Sequence, residues 1–253
     1  MLAGVIDQET IRSRSNPAIK RSREVRAGKV PDRVLLEGER LVADAVASGL
    51  ELELILVAED YTPAPALAAH PALRRATTEV IEAASDLRTP PGVLAIAQAP
   101  RLRPVAELTV DASTLVVVVA GIADPGNLGA CARVAEAAGA SALGFCGAGA
   151  SPTGSKALRG SMGSLLRLPL LQVTSPDELA GRGLRQVRAA TRGGQDYRSY
   201  DWRGPVALWL SGETGEWSLD GDFDLVSIPM AGAVESLNVM AAATLLAFAA
   251  ARV

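Results

Sequence analysis

At 253 residues and 49% hydrophobic, the chain can bury two ordinary cores without disulfides. Cys131 and Cys146 both sit in apolar surroundings and read as reduced, buried thiols rather than a secreted framework. No stretch reaches the roughly 18 consecutive apolar residues of a membrane span, and the start MLAGVIDQET lacks a basic segment followed by an apolar one. The expectation is therefore a soluble, untargeted, cytoplasmic protein with no membrane association. A net charge of −3 argues against a uniformly basic nucleic-acid binder.

The charge is unevenly placed. Residues 1 to 33 hold Arg12, Arg14, Lys20, Arg21, Arg23, Arg26, Lys29 and Arg33 against Asp7, Glu9, Glu24 and Asp32, an excess of four positive charges. Such a run is either a solvated helix face or an arm that meets phosphates. Asn16 to Gly28 suits a basic helix, 34 to 36 a short strand, and 37 to 48 a helix that Gly49 stops. Alternation over 52 to 57 marks a strand, YTPAPA loosens the chain, and VLAIAQ at 93 to 98 is another strand. These make a small α/β domain, residues 1 to 104. Residues 99 to 110, with two prolines, read as the linker into a second domain, 105 to 253.

In the second domain, the strand LVVVV at 115 to 119 is followed by a helix from Leu128, a strand at 142 to 145, a helix from Lys156 and strands near 170, 187, 207 and 226. This alternation predicts a parallel sheet with crossover helices. The last segment, from Ser236 to Arg252, is apolar on nearly every side. Too short to span a bilayer, it belongs in a core or a subunit interface, and the interface accounts better for its excess of apolar surface.

Three segments carry chemistry. In ADPGNLGACARVAEAAG, 123 to 139, a polar glycine-containing turn opens a helix whose inward stripe is Leu128, Cys131, Ala132 and Ala135. Asn127 stands at the helix start, where an N-cap is its ordinary role, and Arg133 projects from the first turns, where a surface ion pair is the ordinary alternative. In SKALRGSMGSLLRLP, 155 to 169, Lys156, Arg159 and Arg167 flank the small residues Gly160, Ser161 and Gly163, a helix start able to hold phosphates. Gly149 and Gly154 before it have the spacing of a triphosphate-binding loop, but Ser155-Lys156 reverses the required order. In SIPMAGAVESLNVMAAA, 227 to 243, Ser236 is placed to cap the terminal helix, and Asn238 just inside it is a polar group needing partners.

These segments, in this order and spacing, resemble the three signature motifs of the TrmH/SpoU family in the SPOUT methyltransferase superfamily. The stretch NPAIKRSREVRAGKVPDRVLLEGERLVADAVASG resembles that family's ribosomal-protein-like RNA-binding domain. The resemblance implies a parallel sheet with a deep trefoil knot, an exception to the rule that chains are unknotted. It also implies a homodimer and S-adenosylmethionine as cofactor, held at Leu210, Ser211, Gly212, Gly215, Ile228, Met230 and Leu237. The catalytic positions it implies are Asn127, Arg133, Ser161, Glu213, Ser236 and Asn238. Its substrate contacts are Arg133, Lys156, Arg159 and Ser161, joined by Arg21 and Arg23 of the basic arm.

The implied reaction is 2′-O-ribose methylation of RNA, with ribosomal RNA as the substrate the accessory domain favours, transfer RNA as the alternative, and no metal. The family's usual base is the arginine at position 133, yet a guanidinium is always protonated, so holding a phosphate and stabilising a developing alkoxide suits it better. His70, the only histidine, lies in the first domain beside Pro71. One departure stands out: LWLSGETGEW places Ser211 and Thr214 where the family has glycines, displacing Gly212 and Gly215 by one. Met240 also stands where serine is usual. If the altered loop no longer takes the cofactor, the chain is a non-catalytic RNA-binding relative. A Rossmann dinucleotide enzyme is disfavoured, because no G-x-G-x-x-G follows the strand at 115 to 119.

Overall fold

The computed structural model describes residues 10–212 and 219–251, and the chain divides after Pro100 into two compact units. In the first, α1 (Pro17–Arg26) starts where Asn16 turns its side-chain oxygen to accept from the Ala18 amide at 2.9 Å, with proline at the position whose missing N–H costs nothing. There follow β1 (Arg33–Glu37), α2 (Glu39–Ala47), β2 (Leu52–Ala58), α3 (Pro65–Ala68), β3 (Leu73–Ala76), α4 (Thr78–Ala84) and β4 (Val93–Gln98). The sheet order is β1-β4-β2-β3, with β4 antiparallel to both neighbours and β3 parallel to β2.

The sequence reading missed β3 and α4, because LRRA has no apolar alternation to announce a strand. Tertiary pairing makes it one: the Ile11 amide donates to the Arg75 carbonyl at 2.9 Å and the Thr77 amide to the Ile11 carbonyl at 3.0 Å, so the chain before α1 lies along β3.

The second unit contains β5 (Leu102–Pro104), a 3-10 turn at Val105–Glu107, β6 (Leu115–Ala120), α5 (Pro125–Ala137), β7 (Ala142–Cys146), α6 (Ser155–Ser161), α7 (Ser164–Arg167), β8 (Leu170–Val173), α8 (Pro176–Ala180), β9 (Arg185–Ala190), β10 (Gln195–Asp196), β11 (Val206–Ser211), β12 (Asp224–Ser227) and α9 (Val239–Ala250). Its eight strands run in the order β10-β12-β9-β11-β6-β7-β8-β5, every described pair parallel. The predicted linker needs correcting. Leu102, Arg103 and Pro104 form an edge strand on β8, so the second unit begins at Arg101 and not at 105. Proline is tolerated there because an edge strand leaves one row of amides unused.

The central strands β6, β7 and β11 are apolar on both faces and almost wholly buried, as a sheet covered on two sides requires. Trp209 on β11 is fully buried, and its indole N–H donates to Gln186 Oε1 at 2.8 Å, so the largest core side chain leaves no polar atom unpaired. Against this sheet α5 and α6 meet through glycine. A Cβ at Gly129 would lie 2.7 Å from the Ala157 carbonyl oxygen and the Ser161 amide, closer than any side chain can approach.

Helix α9 starts at Val239, not at Ser236 as the sequence suggested. The cap is Asn238, whose Oδ1 accepts from the Met240 amide at 2.9 Å. One face, Val239, Ala243, Leu246, Ala247 and Ala250, is buried, while Met240, Leu245 and Phe248 stand 39%, 39% and 47% exposed. Among the described residues no helix is long and apolar enough to cross a membrane.

Candidate active site

Strands β11, β9 and β12 are neighbours, and their carboxyl ends open into one cavity of about 630 Å³. Carboxyl edges of parallel sheets are where ligands of open α/β folds gather, since the loops leaving the strands spread apart there. The walls come from Leu210, Ser211 and Gly212 after β11, from Arg188 to Arg192 along the end of β9, from Val226, Ile228 and Met230 around β12, and from Glu235, Ser236 and Leu237 ahead of α9. Val239, Ala242 and Leu246 of α9 complete it. Six of the seven positions expected to hold the cofactor are therefore in one place. The seventh, Gly215, lies outside the described residues, as does Glu213.

Backbone proximity shapes this edge. A Cβ at Gly212 would stand 3.1 Å from the Gly121 carbonyl oxygen, and one at Gly149 would stand 2.9 Å from the Ile122 carbonyl oxygen. The loops after β6, β7 and β11 thus approach one another as closely as main chain allows. Ser211 itself is still part of β11, paired with Ala120, so the glycine displaced by one residue is the one that makes the close approach.

The two asparagines meet. Asn238 Nδ2 donates to Asn127 Oδ1 at 3.4 Å, joining the first motif to the third across 111 residues of chain. Asn127 is not the helix cap: Asp124 is, accepting from the Asn127 amide at 2.8 Å, which releases the Asn127 side chain. Nor is Asn238 buried; it is exposed at the end of α9 and owes its position to capping. Arg133 lies roughly 9 Å farther along α5 at 1.5 Å per residue. It is exposed and makes no hydrogen bond or ion pair among the described residues, unlike the surface pair that is ordinary for such an arginine.

The second motif departs most from expectation. Ser161 is fully buried, and its hydroxyl donates to the Leu158 carbonyl at 2.7 Å, so as the chain stands it offers nothing to a substrate. Its smallness, beside Gly160, lets α6 lie against α5. The basic residues are engaged within the unit: Lys156 Nζ is 3.1 Å from Asp124 Oδ2, and Arg167 grips Glu136 through Nε at 2.6 Å and Nη2 at 2.8 Å. The Asn127 amide first, and Lys156 next, hold the Asp124 carboxyl below its ordinary range, and Arg167 does the same to Glu136. Arg159 is half-buried and also has an interaction.

In the first unit the two arginines expected to meet RNA are tied down as well. Arg21 donates to Glu53 through Nε at 2.7 Å and Nη2 at 3.1 Å, and Arg23 Nε donates to the Ala83 carbonyl at 3.1 Å. His70 Nδ1 accepts from the Ala72 amide at 3.2 Å, a local turn contact. Burial pushes the Cys131 thiol up to about 12, and burial, with a smaller effect from Glu178, raises Cys146. Among the described residues no cluster of three His, Cys, Asp or Glu side chains is placed to hold a metal ion.

Sequence reasoning did not find Arg188, Arg192 and Glu235 as cavity residues. The end of β9 was the available signal, because it must lie at the same sheet edge as its neighbours, but strand order cannot be read from one chain of letters.

The SpoU rRNA Methylase family model matches residues 114–248, from the residue before β6 into α9. The chain belongs to the SpoU rRNA methylase family. A model described as the MRM3-like substrate binding domain matches residues 16–95, within the first unit. Similar relatives include the 23S rRNA (uridine(2479)-2′-O)-methyltransferase of Streptomyces viridochromogenes, 32% identical over 92% of this chain and 85% of the relative. The 23S rRNA (guanosine(2553)-2′-O)-methyltransferase of Bacillus subtilis is 28% identical over 85% of this chain and 86% of its own. Among solved structures, an AdoMet-bound rRNA methyltransferase from Sinorhizobium meliloti superposes with a TM-score of 0.81 at 25% identity, over 96% of this chain and 97% of that one. The family match spans all three motifs, so the cavity and the asparagine pair both lie within the part of the chain that defines the family.

Proposed function

We propose that the protein transfers a methyl group from S-adenosylmethionine to a ribose 2′-hydroxyl of ribosomal RNA. The observation that carries this reading is the single cavity at the ends of β9, β11 and β12, beside which Asn127 and Asn238 meet. Its size lies within the roughly 300 to 1,000 Å³ of small-molecule sites, and its inner wall of Leu210, Val226, Val239 and Leu246 is apolar and buried, suited to a purine. Gly212, without a side chain where the chain after β11 passes the Gly121 carbonyl, supports a cofactor loop that is still built for a ligand despite Ser211. The relatives named above act on 23S rRNA, and both units of this chain have counterparts in known substrate-binding and methylase domains.

Bound S-adenosylmethionine would supply a methyl carbon made electrophilic by its sulfonium. The chain's own work is alignment and charge. Orienting two reactants in a dry pocket can account for up to roughly 7 to 11 kcal/mol of a barrier. Asn127 and Asn238 offer amide donors and acceptors to the ribose at the cavity's edge, and Ser236 supports the loop that leads into α9. Arg133, permanently charged, holds a phosphate and stabilises the negative charge that develops on the 2′-oxygen as its proton passes to solvent water. The same reading includes a deep trefoil knot at the C-terminal part of the sheet, consistent with β11 lying between β6 and β9. It includes a cytoplasmic location and a homodimer, the dimer supported by the exposed apolar side chains of α9.

Incubating purified protein and ribosomal RNA with methyl-labelled cofactor, then mapping 2′-O-methyl marks against RNA from a deletion strain, tests this directly. The expected result is one ribosomal mark missing in the strain and restored in vitro. A missing transfer-RNA mark instead would redirect the substrate. Arg133→Ala and Arg133→Lys should both lose turnover while folding normally, since lysine cannot reproduce the planar two-pronged contact. Normal turnover in both would remove Arg133 from the mechanism.

A further inference from the structure

The cavity is chemically two-ended. Its inner wall is apolar, whereas its mouth carries opposite charges from two separate loops: Arg192 after β9 and Glu235 ahead of α9, with Nη2 and Oε1 3.6 Å apart. Both side chains are largely exposed, 78% and 85%, so their attraction in water is weak and the pair opens at little cost. Neither residue belongs to the expected binding set.

The two loops are anchored differently. Arg192 precedes Gly193, at φ +78°, and Gly194, where a Cβ would come within 2.8 Å of the Leu225 carbonyl, so the β9 loop is pressed onto the β12 backbone and holds Arg192 over the mouth. Glu235 lies in a run, Ala231 to Ser236, in which every residue is exposed. A cation on a loop packed against β12 thus faces an anion in an exposed run. Arg188, the cavity's other described cation, has its guanidinium carbon 5.9 Å from the centre of the Phe223 ring.

We propose that Arg192 and Glu235 form the subsite for the amino-acid end of the cofactor. Arg192 takes the α-carboxylate and Glu235 the α-ammonium, each exchanging a weak contact with the other for a charge-assisted hydrogen bond to the ligand. The proposal rests on the S-adenosylmethionine reading above. It adds that the zwitterionic tail is read at the β9 loop, while the nucleoside is held by the apolar inner wall.

Calorimetric titration of the full-length protein with S-adenosylhomocysteine and with 5′-methylthioadenosine separates the two ends, because the second ligand keeps the nucleoside and thioether but lacks the amino acid. Arg192→Ala and Glu235→Gln should each weaken S-adenosylhomocysteine about tenfold and leave 5′-methylthioadenosine within about twofold. Arg192→Lys should recover part of the loss, and added salt should weaken only the zwitterionic ligand. Equal losses for both ligands, or unchanged S-adenosylhomocysteine binding in folded variants, would overturn the subsite and leave the cofactor reading intact. If the unaltered protein bound neither ligand, the cofactor reading would fall and the subsite with it.

Discussion

At Gly129 the missing side chain decides how closely α5 and α6 approach, and with that the position of everything at the start of α5. Gly129→Ala should cost about 1 to 3 kcal/mol, the usual penalty for overpacking, seen as a lower urea midpoint with an unchanged slope. Ser161→Ala should leave methyl transfer near its normal rate, because that hydroxyl is turned into its own helix. Single-turnover assays on both variants would distinguish a packing residue from a catalytic one. With its thiol pushed to about 12, Cys131 should resist iodoacetamide at about pH 8, where roughly one thiol in ten thousand is ionised, and react only after denaturation. Mass spectrometry of native and urea-treated protein checks this. Such facts were half legible. The buried stripe of α5 followed from helical spacing, but the fate of the Ser161 hydroxyl depended on what lay opposite it.

Elements are joined by charges that the sequence displayed without pairing. In the first unit, Arg21 of α1 and Arg33 of β1 converge on Glu53 of β2, the Nε of Arg33 lying 3.0 Å from the carboxylate. Arg21, and then Arg33, hold Glu53 below its ordinary range of about 4.5. A carboxylate whose folded value is depressed contributes stability that is complete above the unfolded value and is lost as pH falls below it through the folded value. The difference in melting temperature between the parent and Glu53→Gln should therefore be largest near neutrality and shrink below about pH 4.5. A constant difference from pH 7 to pH 3 would show that the carboxylate's charge contributes nothing. The excess of basic residues before position 34 had two readings, solvated face or phosphate arm. The structure adds a third, in which several of those arginines clamp α1 to its neighbours.

For the whole molecule, α9 combines a buried face with Met240, Leu245 and Phe248 in the open, and a second copy of the chain is the occupant its apolar character suits. Phe248→Asp should shift sedimentation from dimer to monomer with the fold retained, whereas a parent that sediments as a monomer at micromolar concentration would refute the dimer. The sequence by itself determined the alternation of strands and helices, the parallel sheet and the extent of the three motifs. Those properties follow from local periodicity and from residue types confined to short windows. Only the tertiary structure decided that β5 joins the second sheet, that β11 inserts between β6 and β9, and that Asp124 rather than Asn127 caps α5, freeing Asn127 to meet Asn238. It alone placed Arg192 and Glu235 at one mouth. Each of these depends on strand order or on contacts between distant segments, and a linear pattern carries no distance between residues that the fold, not the chain, makes neighbours.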